Sequence, residues 1–300
     1  MEPSVEEVSN VRRALKRLRS EPVGWGPVTT GGHTPARRWV VTLEDGRRAF
    51  VKVATDDLTA SWLREEHRYY AILRGASFMP TYVGFYDDGR RPVLALEDLS
   101  AAEWPPPWSP ERVEAVRACL DLVHATPVPE DTPSADDDRL ELRDGWQEVA
   151  ATPEPFLALG LCSPGWLERA LPELRGAAGD AGLAGDAFLH FDVRSDNVCF
   201  RPSGEAVLVD WNWTSEGNPI ADLAFWLPSL QVEGGPPPDE VLPADGAGVP
   251  ELAACVAGFF AAHAARAPIA SAPGVRPLQL RQARAALPWA ARALGLPAPA

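Results

Sequence analysis

The spacing of hydrophobic and polar positions changes several times along this chain, and each change marks an element. Residues 6–20 (EEVSNVRRALKRLRS) repeat apolar positions at helical spacing and predict an amphipathic helix. Residues 38–43 (RWVVTL) and 48–54 (RAFVKVA) are rich in β-formers, and the Asp45-Gly46 turn between them predicts a hairpin. Residues 58–74 (LTASWLREEHRYYAILR) return to a helical period, with Asp56 or Asp57 placed to cap it. YVGFY, a DDGRR turn and PVLALEDL predict two more strands. The first hundred residues therefore read β-β-α-β-β, with an antiparallel sheet.

Helices dominate the remainder. After the proline-rich EWPPPWSP (103–110), Ser109-Pro110 opens a helix that runs through His124, with Ser as cap and Pro at the first helical position. Residues 140–178 predict helix in pieces. Two short strands surround residues 187–200, and VLVD (207–210) predicts another. Helices resume at 219–230, 249–266 and 276–294, and residues 232–248 read as a linker or loop. The implied class is α+β with two lobes: a small β-rich N-terminal lobe over 1–98 and a larger helical lobe over 99–300.

Charge narrows the functional classes. The 42 acids and 28 bases give a net charge of −14, which argues against nucleic acid or an anionic membrane surface as partner. The N-terminus is acidic, and the longest apolar run, near Leu252 to Ala265, is broken by His263 and is short for a bilayer. The four cysteines are far apart with no CxxC pair, so reduced thiols and a cytoplasmic location are expected. Of the 28 bases, only Lys16 and Lys52 are lysine.

The chemistry-bearing segment is HFDVRSDNVCF (190–200), with the skeleton His190-x-Asp192-x₄-Asn197. VLVDWNW follows and places Asp210 at the end of an apolar run. An Asp and an Asn on one loop, then a second Asp after the next strand, make an oxygen-rich cluster. Such a cluster suits Mg²⁺, a hard cation held by few carboxylates together with phosphate oxygens.

This constellation resembles the catalytic segment of the aminoglycoside phosphotransferase and choline kinase-like family of small-molecule kinases. The resemblance rests on His190, Asp192 and Asn197, and on Gly217, Pro219, Asp222 and Leu223 within DWNWTSEGNPIADLAFW (210–226). The chain departs at Phe191, where the family often has Gly, and at Arg194-Ser195, often His-Pro. The resemblance implies a two-lobed, protein-kinase-like fold. It makes Asp192 the group that orients the acceptor hydroxyl and accepts its proton as a phosphoryl group leaves ATP. Asn197 and Asp210 would hold Mg²⁺. His190 would prop the loop, with a catalytic base role as the alternative, and Asp222 would cap or anchor it. Arg194 would either contact phosphate or pair with Asp196. Trp211 and Trp213 alternate as on one strand face, as core or as a wall of the substrate cleft.

A kinase of this type also needs a lysine for the phosphates and a helix glutamate to hold it. Lys52 sits inside a predicted strand, in a chain that otherwise prefers arginine. With Trp62 set at zero on a helical wheel, Glu66 falls at about +40° and Glu65 at about −60°. Glu66 thus lies nearer the apolar stripe, and burial there calls for a cationic partner, so Glu66 is favoured over Glu65. Gly31-Gly32 in TTGGHTPARRW, with backbone N–H groups from Thr30 to His33, would cradle phosphate. The resemblance places the inter-lobe hinge at LALEDLS, with adenine bonded to main-chain groups near Glu97 and Leu99.

The expected function is ATP- and Mg²⁺-dependent transfer of a phosphoryl group to a hydroxyl of a small molecule, an aminoglycoside-type or other antibiotic. A kinase of choline, homoserine or a sugar shares the same residues, and GTP is open as donor. A nucleotide-binding pseudokinase is opposed by the full set Lys52, Asp192, Asn197 and Asp210. The acid is concentrated in residues 101–180, which carry 6 bases against 16 acids, including Asp136-Asp137-Asp138. Carboxylates lining a pocket would favour a cationic acceptor, while a solvated acidic face explains the same run.

Overall fold

The computed structural model describes residues 2–29, 31–32 and 35–299. In chain order the elements are α1 (Val5–Ala14), β1 (Pro22–Pro27), β2 (Arg37–Leu43), β3 (Arg48–Val53), α2 (Asp57–Ile72), β4 (Tyr82–Tyr86) and β5 (Val93–Glu97). They continue with α3 (Pro110–His124), α4 (Gly145–Ala151), α5 (Pro153–Leu157), α6 (Pro164–Gly179), β6 (Ala187–Leu189), β7 (Val198–Phe200), β8 (Ala206–Leu208) and β9 (Ser215–Gly217). The last four are α7 (Pro219–Val232), α8 (Pro238–Val241), α9 (Val249–Ala265) and α10 (Val275–Ala293). The class is α+β, as the sequence predicts. The chain packs as two compact units, Met1–Trp104 with Asp196–Asn212, and Pro105–Ser195 with Trp213–Ala300.

In the first unit a five-stranded antiparallel sheet runs in the order β1-β2-β3-β5-β4. Val41, Leu43, Val51, Val53, Val93 and Ala95 meet Val11 and Leu15 from the N-terminal helical segment in its core. Strand β1 is an addition to the predicted pattern. Its sequence, PVGWGP, has two prolines and no hydrophobic alternation, and its pairing to β2 is irregular between Pro22 and Gly24. Such an edge strand is held by its neighbour more than by its own propensity. α2 is capped by Asp56, whose side chain accepts from the Thr59 amide. The β7–β8 hairpin belongs to this unit and carries Asn197 and Asp210 at its open end.

In the second unit α9 is buried along nearly its whole length and packs against α10, α6 and α4. α4 and α9 meet backbone to backbone: a Cβ on Gly145 would lie 2.1 Å from the Gly258 carbonyl. Trp146 seals that crossing by donating from Nε1 to the Ala254 carbonyl at 2.8 Å. A small ladder of β6 with β9 leads into the loop that follows Leu189. β9 lay outside the predicted strands, since SEG carries no hydrophobic signal. The predicted linker 232–248 contains the single-turn α8. All four cysteines are buried, and none is in a disulfide. Among the described residues, no helix is long and apolar enough to cross a membrane.

Candidate active site

The first unit assembles a lysine–carboxylate cluster on one face of its sheet. Lys52, in β3, donates from Nζ to both Glu66 oxygens at 2.9 Å and to Asp210 Oδ1 at 3.3 Å. Glu66 is fully buried on α2, whereas Glu65 is half-buried and pairs with Arg68. Burial pushes the Glu66 carboxyl up to about 7 against the pull of Lys52, and Asp210 adds to the rise. Burial also opposes the charge on Lys52, but Asp210 and Glu66 together outweigh it and hold the ammonium's pKa above its ordinary value. The lysine is therefore kept charged by two acids.

Asp210 stands two residues beyond β8, not at the strand end, and its backbone is left-handed (φ 68°). Asn212 Nδ2 donates to its Oδ1 at 2.5 Å. The Val209 amide donates to the Asn197 carbonyl at 2.9 Å, which sets Asn197 and Asp210 together at the mouth of the hairpin. The donor set of these two side chains is all oxygen. Among the described residues, no group of three or more His, Cys, Asp or Glu could hold a metal. The arrangement fits Mg²⁺, which takes one or two protein ligands and completes its shell with water and phosphate, and it does not fit a transition metal caged by protein.

Gly31 and Gly32 both have positive φ, 67° and 66°, a conformation glycine adopts without strain. The Gly32 amide donates to Asp196 Oδ2 at 3.2 Å. Thr30 and His33, expected beside them, lie outside the described residues. At the predicted hinge, the Glu97 amide is already committed to the Thr81 carbonyl at 2.8 Å. The Glu97 side chain pairs with Arg201 and accepts from Thr81, and these bonds, Arg201 first, hold its carboxyl down at about 2. The Leu99 carbonyl accepts from the Ala102 amide at 3.0 Å.

The second unit holds the loop of Asp192. Asp222, at the start of α7 and 1% exposed, accepts the amides of His190 and Phe191 at 2.9 and 2.8 Å. His124 Nε2 lies 3.2 Å from the same carboxylate. The buried His190 ring accepts the Asp192 amide on Nδ1 at 3.2 Å, so its own proton sits on Nε2. Phe191 has φ 62°, which accounts for the glycine common at this position in similar sequences. Its ring packs edge-on against Phe225, with centroids 5.2 Å apart. Arg194 pairs with the Asp192 carboxylate itself, a partner outside the expectation from the sequence. Ser195, where a proline is usual, donates to Glu233 Oε1 at 2.6 Å, and Trp108 Nε1 donates to Glu233 Oε2 at 3.1 Å. That bracing ties the proline-rich segment to the loop; only the unusual serine hinted at it.

Two expectations change. Trp211 and Trp213 do not share a strand face: Trp211 is buried beside Phe78, while Trp213 packs on Phe259 and under the Arg139 guanidinium. The acidic triplet is mostly used locally. Asp136 pairs with Arg143, and Asp138 accepts the Ser134 amide at 2.7 Å.

Comparison with known proteins agrees with this architecture. Residues 30–255 match the phosphotransferase enzyme family, and the chain belongs to it. It is an enzyme of the small-molecule kinase kind. A ternary complex of aminoglycoside phosphotransferase APH(4)-Ia with ADP and hygromycin B is 15% identical, with a TM-score of 0.55 over 91% of this chain and 95% of that one. A Thermobifida fusca protein described provisionally as a fructosamine-3-kinase is 22% identical, with a TM-score of 0.55 over 93% and 98%. Macrolide 2'-phosphotransferase type I is 17% identical, with a TM-score of 0.53 over 98% and 94%. These likenesses place the fold as kinase-like. Acyl-CoA dehydrogenase family member 11 of Gallus gallus is 42% identical over 57 aligned positions. That stretch covers 16% of this chain and only 7% of the relative.

Proposed function

We propose that the chain transfers the γ-phosphoryl group of ATP to a hydroxyl of a small molecule. The observation that carries this reading is the buried pair of Glu66 and Lys52, with Lys52 also reaching Asp210. A compact ammonium so held is a point charge for nucleotide phosphates. Asp192 takes the proton from the acceptor hydroxyl as its oxygen bonds to phosphorus. The Arg194 guanidinium pairs with that carboxylate and orients it. His190 and Asp222 act through the backbone, fixing where Asp192 stands. Asn197 and Asp210 would hold Mg²⁺, which when bound supplies positive charge against the phosphate oxygens.

For the acceptor, the reading supported first is an antibiotic carrying hydroxyl groups, since similar folds are named for aminoglycoside and macrolide phosphotransferases. A metabolite acceptor of the fructosamine kind is the second reading. The local pairing of Asp136 and Asp138 favours neither charge class, and this weakens the case for a cationic acceptor. The test is a panel of aminoglycosides, macrolides, glycated amines, choline and homoserine, offered with ATP or GTP and Mg²⁺ and read by product mass. Gain of one phosphoryl group by an antibiotic supports the first reading. Gain only by a metabolite supports the second, and no gain by any acceptor contradicts both.

A further inference from the structure

Arg38 is opposite Lys52 in the β2–β3 ladder, so the two side chains leave the sheet on the same face. Its Nη1 donates to the Gly31 carbonyl, in the same peptide group whose Gly32 N–H Asp196 holds. A Cβ on Gly32 would lie 2.2 Å from that nitrogen, so the guanidinium is laid directly against the glycine turn. Arg38 Nε is buried and has no hydrogen-bond partner among the described residues. The side chain makes no ion pair within 4.0 Å among those residues, although it feels the charges of Asp210 and Asp196. A guanidinium carries five donors in a rigid fork, and among the described residues one is used.

The local charge balance gives this cation a purpose. Lys52 alone is outnumbered by the carboxylates of Glu66, Asp210 and Asp196, a field that repels a polyphosphate. Arg38 reduces that imbalance, and its free donors are of the kind that grip phosphate oxygens in pairs. We propose that Arg38 is a second phosphate-binding cation of the nucleotide site, lying beside Lys52 and turning from the Gly31 carbonyl onto the nucleotide's phosphates.

This inference rests on the nucleotide reading above, and calorimetric titration of the whole protein separates the two. MgATP, MgADP and adenosine are titrated into wild type, Arg38→Met and Arg38→Lys. Arg38→Met is expected to weaken MgATP and MgADP by about 10- to 100-fold while leaving adenosine unchanged. Arg38→Lys, which keeps the charge but not the fork, is expected to fall between. Unchanged MgATP affinity in Arg38→Met, or an equal loss for adenosine, overturns the inference and leaves the proposed function standing. A wild type that binds no nucleotide overturns both. Thermal melts of the same samples confirm that each variant is folded.

Discussion

The Asp222 carboxylate is the most heavily used buried acid in the second unit, and removing it should cost a predictable amount. It is 1% exposed and accepts two main-chain amides, from His190 and Phe191. Asp222→Ala orphans both donors. Each buried unsatisfied amide costs ~1–3 kcal/mol, so the pair costs about 4 kcal/mol. Asp222→Asn keeps one carbonyl acceptor and turns an NH₂ toward the other amide, so about half of that is expected, roughly 2 kcal/mol. Urea unfolding followed by tryptophan fluorescence measures both, with the transition of the second unit read separately if the two units unfold apart. Because the same amides fix the loop of Asp192, turnover should fall in both variants while nucleotide affinity changes little. A loss below about 1 kcal/mol in Asp222→Ala, or equal losses in the two variants, would refute the reasoning.

Three further outcomes follow. Asp210→Ala should abolish the Mg²⁺-dependent part of nucleotide binding, measured as the difference in affinity with Mg²⁺ and with chelator; an unchanged difference counts against the site. Phe191→Gly relieves a left-handed φ worth ~1–2 kcal/mol but loses a buried ring worth ~3–5 kcal/mol. A net destabilisation of about 2–3 kcal/mol is therefore expected in chemical denaturation, and a more stable variant would contradict the packing account. Burial pushes the His263 imidazole down to about 4. The unfolded chain then binds a proton that the folded one refuses, so stability falls as pH drops from 6.5 toward 4. His263→Gln should flatten stability in that window relative to wild type, as tested by melting temperature against pH.

Legibility in the sequence followed the strength of the local physics. The stripe on α2 was enough to distinguish Glu66 from Glu65, because a carboxylate among Tyr69, Tyr70 and Leu63 has to find a cation. The hairpin is legible from its Asp45-Gly46 turn but its register is not: a two-residue turn would set Lys52 opposite Trp39, whereas the ladder sets it opposite Arg38. β1 and β9 were not legible, since PVGWGP and SEG are made strands by their neighbours. The Arg194 partner was missed because a guanidinium has several carboxylates within chain reach and only packing selects one. The same applies to the acidic triplet, where packing brings Arg143 to Asp136 and the Ser134 amide to Asp138.

The central claim is that Asp192 takes the acceptor's proton in an ATP-driven phosphoryl transfer. The direct measurement compares wild type with Asp192→Asn, using ATP, Mg²⁺ and the acceptor panel, with phosphorylated product counted by mass and nucleotide affinity measured alongside. Wild type should phosphorylate at least one hydroxyl acceptor. Asp192→Asn should bind nucleotide as well as wild type and transfer on the order of 100- to 10,000-fold more slowly. Near-normal transfer by that variant would contradict the claim.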